Sequence, residues 1–270
     1  MTAELESQTI PVGQGHVTLL TLNRPHAANA LSQGLAQTLT QTFIELASDV
    51  ACRLVVLCGK GAHFCGGADL VWMQASAKLD AAGNLAEAHG LTALYEAMAS
   101  CSIPLVGVVR GSAYGGAVGL LACCDVVVAE EKSRFCLSEV RLGILPAVIM
   151  PYLVRKMTPG RLRRLALSGA VFSAAEACEC GLVHVVAEEE SFSLAVRREL
   201  DGLLAGGPLA QRQIKGLLAH FVGAVYPQGE LTARAIASAR SGAEGQEGLA
   251  SFFGKTAPAW HTRMPEDFSL

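Results

Sequence analysis

The chain has 270 residues, of which 51% are hydrophobic and 17% charged, with a net charge of −3. That length suits one α/β domain, or a core with an appendage, and leaves apolar surface to spare for subunit contacts. The slightly acidic balance gives no reason to bind nucleic acid or an anionic membrane. No run approaches the ~18 consecutive apolar residues of a membrane span, and "MTAELESQTIPVG" lacks the basic-then-apolar order of a signal peptide.

In chain order, "HVTLLTLNRP" alternates and stops at a proline, which predicts a strand over Val17 to Leu22. In "SQGLAQTLTQTFIELASD", Ser32 is an N-cap, and Leu35, Leu39, Phe43 and Leu46 share one helical face. "RLVVLCG" is a short continuous apolar run, hence a buried parallel strand. The loop "KGAHFCGGAD" leads into a helix over Leu70 to Ala77, and a second helix covers Asn84 to Ala99. "PLVGVVRG" reads as another buried strand, "GGAVGLLACC" as a short buried helix, and "DVVVAEE" and "RFCLSEV" as two further short strands.

Helices then dominate. "PAVIMPYLVRKM" begins about one turn late because of Pro151. "TPGRLRRLALSG" has Thr158 as cap, Pro159 in the first turn and Gly169 as stop; "SAAEACECG" repeats that logic with Ser173 and Gly181. Val183 to Val186 is a last strand. From Ser191 the pattern is helical, broken at "GGPLAQ". Alternating strands and helices with buried parallel strands define an α/β core, and the last ~70 residues form a helical appendage by the same periodicity.

The nine cysteines sit in apolar runs and include no CxxC pair, so buried reduced thiols in a cytoplasmic protein are expected. The seven histidines, His16, His26, His63, His89, His184, His220 and His261, show no paired spacing, and nothing calls for a metal.

Two loop–helix junctions share a design. "FCGGADL" places Gly66 and Gly67 before a helix starting near Ala68, and "YGGAVGL" places Gly115 and Gly116 at the start of the next. The first N–H groups of a helix have no internal partner, and glycine lets a ligand approach the backbone. Two such ends that converge give one oxygen two donors, the layout of an oxyanion hole. Taken singly, each also reads as an ordinary tight turn. "GSAYGGAVG" is neither G-x-G-x-x-G nor G-x-S-x-G, which removes the dinucleotide and nucleophile-elbow readings.

"NRPHAANALS", "HFCGGADLVWM", "RGSAYGGAVGLLACCDVVVA", "FCLSEVRLGILPAV" and "SAAEACECGLVHVV" follow in an order and spacing that resemble the crotonase (enoyl-CoA hydratase/isomerase) superfamily. The resemblance runs from about residue 8 to residue 200. It implies an α/β crotonase-like spiral of ββα units over residues 1–200, and a helical C-terminal trimerisation region over 201–270. It also implies a homotrimer or a hexamer built as a dimer of trimers. By the same resemblance the substrate is an acyl-CoA thioester with no further cofactor. The Ala68 and Gly116 N–H groups would hold its carbonyl oxygen.

Hydratases of the family usually carry two glutamates. The first position is Gly119 here; the second is Glu139, in "LSEVRLG". The family's glycine after the loop proline is Ala147. Glu139 is the implied general acid/base, because an apolar cleft raises a carboxyl pKa towards neutrality. On the residues alone it reads first as a surface strand-end glutamate paired to Arg141.

The family match further places Arg24, Ala28, Ala30, Gly67, Asp69 and Leu70 near the CoA moiety, and Tyr114, Gly115 and Gly119 beside the acyl group. Arg24 also reads as a solvated turn charge, Tyr114, Trp72 and Met73 as core, and Lys255 as either an exposed lysine or a contact to a neighbour's CoA. With "SGAEGQEGLASFFGKTAPAW", the local sequence most resembles bacterial hydratases of 3-methylglutaconyl-CoA or isohexenylglutaconyl-CoA, in leucine or acyclic terpene breakdown. The single glutamate keeps a Δ3–Δ2 enoyl-CoA isomerase open. A crotonase-fold RNA-binding protein would call for a basic stripe, and "RLRRLALSG" is too short to supply one.

Overall fold

The computed structural model describes residues 3–13, 15–221 and 229–258. Its main sheet has six strands. Strand β1 (Leu5–Val12) pairs antiparallel with β2 (Gly15–Leu22) at the edge. From there β2, β3 (Cys52–Gly59), β4 (Leu105–Val109), β6 (Val126–Glu130) and β9 (Val185–Ala187) run parallel in that order. Leu54, Val55, Leu57, Leu105 and Val106 are fully buried, which is why β3 and β4 read as unbroken apolar runs. β1 escaped the sequence pattern: only Leu5 is buried, so the strand shows no alternation.

A small sheet lies beside it. Strand β5 (Ser112–Tyr114) runs parallel to β7 (Arg134–Cys136), and β8 (Val171–Ser173) pairs antiparallel with β7. Isolated parallel bridges, Cys65 to Ala113 and Leu31 to Ala68, extend the same layer. The chain therefore repeats one step: a long strand in the main sheet, a short one in the small layer, then a helix. β4, β5 and α4 (Gly116–Cys123) form the clearest such unit. This is the expected ββα spiral, with second strands too short to show a period.

Helix α1 (Gln33–Ala47) follows Ser32, whose hydroxyl accepts the Leu35 N–H at 3.0 Å; Leu35, Leu39, Phe43 and Leu46 are buried as expected. Helix α2 (Leu70–Ser76) agrees within a residue. Helix α3 (Ala81–Ser100) begins before Asn84, because Asp80 caps it through the Gly83 N–H. Helix α5 (Met150–Lys156) starts with Pro151 in its first turn, and α6 (Pro159–Ser168) stops at Gly169 in the left-handed region. Thr158 sits at the cap position of α6, but its side chain makes no cap bond. Helix α7 (Ala174–Glu179) carries a capping box between Ser173 and Glu176.

The C-terminal part contains α8 (Glu189–Leu204), α9 (Pro208–Phe221), α10 (Gly229–Ser241) and α11 (Ala243–Gly254). Helix α10 returns to pack along α3, and α11 packs on the turn that follows β7. His261, Trp260 and the side chain of His220 lie outside the described residues.

Three expectations need correction. The strand read in "RFCLSEV" stops at Cys136, and Glu139 opens a 3-10 turn, Glu139–Leu142. The last strand covers Val185–Ala187, since Val183 and His184 belong to the turn after α7. All nine cysteines are free and seven are buried, but Cys178 is exposed on α7 and Cys58 is half-buried. Among the described residues, no helix is long and apolar enough to cross a membrane.

Candidate active site

The first glycine junction is built by the Leu31–Ala68 bridge. The Leu31 N–H donates to the Gly67 carbonyl at 2.7 Å, and the Asp69 N–H donates to the Leu31 carbonyl at 2.9 Å. Parallel pairing uses the groups on either side of Ala68, so the Ala68 N–H turns away from the bridge. Among the described residues it meets no acceptor. Asp69 then caps α2, accepting from the N–H groups of Val71 at 2.8 Å and Trp72 at 3.2 Å. Burial alone would raise the Asp69 pKa. The hydrogen bond from Arg24 at 2.8 Å and the two N–H bonds outweigh burial and hold it below the usual range.

The second junction places Gly116 as the first residue of α4, with its N–H likewise unmatched among the described residues. Gly115 has φ +53°, and its N–H donates to the Cys136 carbonyl at 2.8 Å. A Cβ there would stand 3.3 Å from Oε1 of Glu139, so glycine keeps the carboxyl close to the backbone. Gly67 has φ +100°, and a Cβ on it would stand 2.9 Å from the Tyr114 carbonyl oxygen. The two junctions therefore touch. Ala68 and Gly116 both line one cavity of about 490 Å3.

Glu139 lines the same cavity. Its Oε2 is enclosed and has no hydrogen-bond partner among the described residues, and burial raises its pKa to about 7. Arg141 forms no ion pair with it. Arg141 is exposed, and its chain packs near Gly169. The surface ion pair considered from sequence is thus replaced by a buried, unpaired carboxyl.

Gly67, Leu70, Tyr114 and Gly115 line the cavity, and so do Trp72, Met73 and Ala147. Gly119 does not. It is buried behind Ile149 and Tyr95, so the place of the family's other glutamate is closed by two apolar surfaces. Arg24, Ala28, Ala30 and Asp69 do not line the cavity; they belong to the turn after β2 and the cap of α2 that carry the first junction. The Arg24 Nε pairs with Glu4 at 2.7 Å, one Nη with Asp69 and the other with the Ala30 carbonyl; the Ala28 carbonyl accepts the Gly66 N–H at 2.8 Å. Lys255 is exposed at the end of α11.

Sequence reasoning missed Tyr95, Glu87 and Arg240. Tyr95 comes from α3 and donates its hydroxyl to the Gly116 carbonyl at 2.9 Å. Burial pushes its pKa well above the ordinary tyrosine value. The only signal was its place on a buried helix face, which reads as core.

Residues 13–263 match the family model described as enoyl-CoA hydratase/isomerase, and the chain belongs to that family. A solved enoyl-CoA hydratase from Mycobacterium avium superposes with a TM-score of 0.85 at 31% identity, covering 97% of this chain and 100% of that one. The 2,3-dehydroadipyl-CoA hydratase of Escherichia coli is 32% identical, covering 95% of this chain and all of the relative. The mevalonyl-coenzyme A hydratase of Aspergillus fumigatus is 31% identical over 91% of each chain. The fold is therefore crotonase-like, and the activity is of the enoyl-CoA hydratase type, a lyase.

Proposed function

We propose that the protein hydrates a 3-branched glutaconyl-CoA reversibly, the branch being methyl or isohexenyl, and that Glu139 is its single proton-carrying group. The observation that carries this reading is the closed space over Gly119 beside an open, apolar site for Glu139. Glu139 is the one carboxylate among the described residues that line the cavity, and the second carboxylate is supplied by the substrate. A glutaconyl group brings such a carboxylate beyond the double bond.

The thioester oxygen accepts the N–H bonds of Ala68 and Gly116. Ionised Glu139 takes a proton from water as the water oxygen bonds to C3. The C2–C3 π electrons move to the thioester oxygen, and the two N–H donors hold that enolate; each donor contributes on the order of 2.7–4 kcal/mol. Glu139 then returns the proton to C2, the carbonyl reforms, and the net change is addition of H and OH. The substrate's distal carboxylate orients the water. Among relatives, 2,3-dehydroadipyl-CoA is named for a dicarboxylic acyl group, and mevalonyl-CoA carries a branch at C3. Both features meet in this substrate.

Assays that follow loss of the conjugated-thioester absorbance test the reading with 3-methylglutaconyl-CoA, isohexenylglutaconyl-CoA and crotonyl-CoA. A carboxylated, branched substrate should show the highest kcat/KM. A preference for crotonyl-CoA sinks the substrate assignment, and near-normal hydration by Glu139→Gln sinks the single-carboxylate scheme. The lone carboxylate also favours a second reading, a Δ3–Δ2 enoyl-CoA isomerase in which Glu139 removes and returns one proton. Absorbance gained rather than lost with 3-enoyl-CoA distinguishes it. In either case assembly as a trimer or hexamer is expected of the family.

A further inference from the structure

Resting on the substrate reading above, we propose that Arg240 receives the distal carboxylate of the acyl group. Arg240 lies in the last turn of α10 and contributes to the wall of the cavity that holds Glu139, Ala68 and Gly116. Its side chain is 12% exposed, and Nη1 is enclosed without a hydrogen-bond partner among the described residues. The neighbouring counter-charge is Glu87, on α3, with Oε2 at 3.6 Å. That is an ion-pair distance but too long for a hydrogen bond.

Glu87 is already committed to α2. Its Oε1 accepts the Trp72 indole N–H at 2.9 Å, and its Oε2 accepts the Ser76 hydroxyl. It therefore holds the guanidinium in place electrostatically and leaves Nη1 without an acceptor among the described residues. A guanidinium presents five donors in a plane that matches a carboxylate, and charge-assisted pairs of this kind are among the strong hydrogen bonds in proteins. Burying such a cation in an apolar wall costs desolvation that a neutral acyl chain would never offset. A carboxylate arriving on the substrate offsets it. Ile236, Leu249 and Phe252, from the same two C-terminal helices, line the cavity beside it and give the C3 branch an apolar seat.

The competing role is a strut that pins α10 to α3 through Glu87. The two differ in what they recognise. Calorimetric binding of glutaryl-CoA and butyryl-CoA to the full-length protein separates them, because both are saturated and neither reacts. The wild type should bind glutaryl-CoA about 100-fold more tightly, the scale of one buried charge pair. In Arg240→Met that ratio should fall to near one, and in Arg240→Lys, which keeps the charge but not the fork, to about tenfold. A Met or Lys variant that keeps the wild-type ratio overturns the assignment, whatever its absolute affinities. If the wild type shows no preference for glutaryl-CoA, the substrate reading falls and this inference with it. A preference that survives in the variants removes Arg240 alone.

Discussion

Ile149 occupies the space a side chain on Gly119 would need. Its Cβ lies 2.7 Å from where a Cβ on Gly119 would stand, and Tyr95 Cε1 lies 2.9 Å from the same point. Gly119→Glu should therefore destabilise the protein by at least about 1–3 kcal/mol through overpacking, with a further cost for the buried charge. Hydration should not accelerate. Thermal melting and initial rates check this, and a variant that melts like the wild type and turns over faster would show that the Tyr95–Ile149 cover yields.

The raised pKa of Glu139 links stability to pH. The group titrates at 4.5 in the unfolded chain and at about 7 in the folded one. Between those values the folded state binds more protons, so stability falls as pH rises through the window and stays low above it. Glu139→Gln removes the dependence. Its stability relative to the wild type should rise by up to about 3 kcal/mol between about pH 4.5 and about pH 8. Urea titrations at the two pH values measure the difference, and a constant difference would contradict the burial.

The same group sets the kinetic profile. Because Glu139 acts ionised in both directions, log kcat/KM for hydration and for dehydration should each rise with pH and level off above about 7. Glu139→Gln should lose about 10²–10⁴-fold in kcat. A profile that falls through this range would assign Glu139 the protonated role instead.

Gly67 keeps the two junctions together. Gly67→Ala puts a side chain at φ +100° and 2.9 Å from the Tyr114 carbonyl oxygen, so the loops must separate. Stability should drop by about 1–3 kcal/mol. Because the Ala68 and Gly116 donors move apart, kcat should fall far more than KM rises. An equal loss in affinity for a saturated acyl-CoA would place the damage in binding.

Asp69 caps the helix that follows Ala68. Asp69→Ala removes the cap of α2 and leaves the guanidinium of Arg24 with Glu4 as its remaining ionic partner. A loss of about 0.5–2 kcal/mol is expected from the cap alone. Asp69→Asn should recover most of the stability, since an amide oxygen also caps. Denaturant unfolding of the pair checks the order.

Much of the fold was legible locally. The continuous apolar runs of β3 and β4, the Ser32 and Ser173 caps and the Gly169 stop each depend on a few adjacent residues. The edge strand β1 and the three-residue strands β5 and β8 were missed: an exposed edge shows no alternation, and three residues are too few to reveal a period. Glu139 was read as part of a strand, and the structure puts it at the start of a 3-10 turn. A serine, a carboxylate and a β-branched residue together carry no local mark of a 3-10 turn.

What the sequence by itself determined were the features a short segment can encode: parallel strands, helix caps, and two glycine pairs that leave backbone donors free. Tertiary structure alone decided that Gly119 is closed by Ile149 and Tyr95, that Arg24 pairs with Asp69, and that Arg240 meets Glu87 at the cavity. These are contacts between residues far apart in the chain. Gly119 is closed where α4 meets α3 and the start of α5, Arg240 meets Glu87 where α10 packs on α3, and Arg24 joins the turn after β2 to the cap of α2; no spacing within one segment records such contacts.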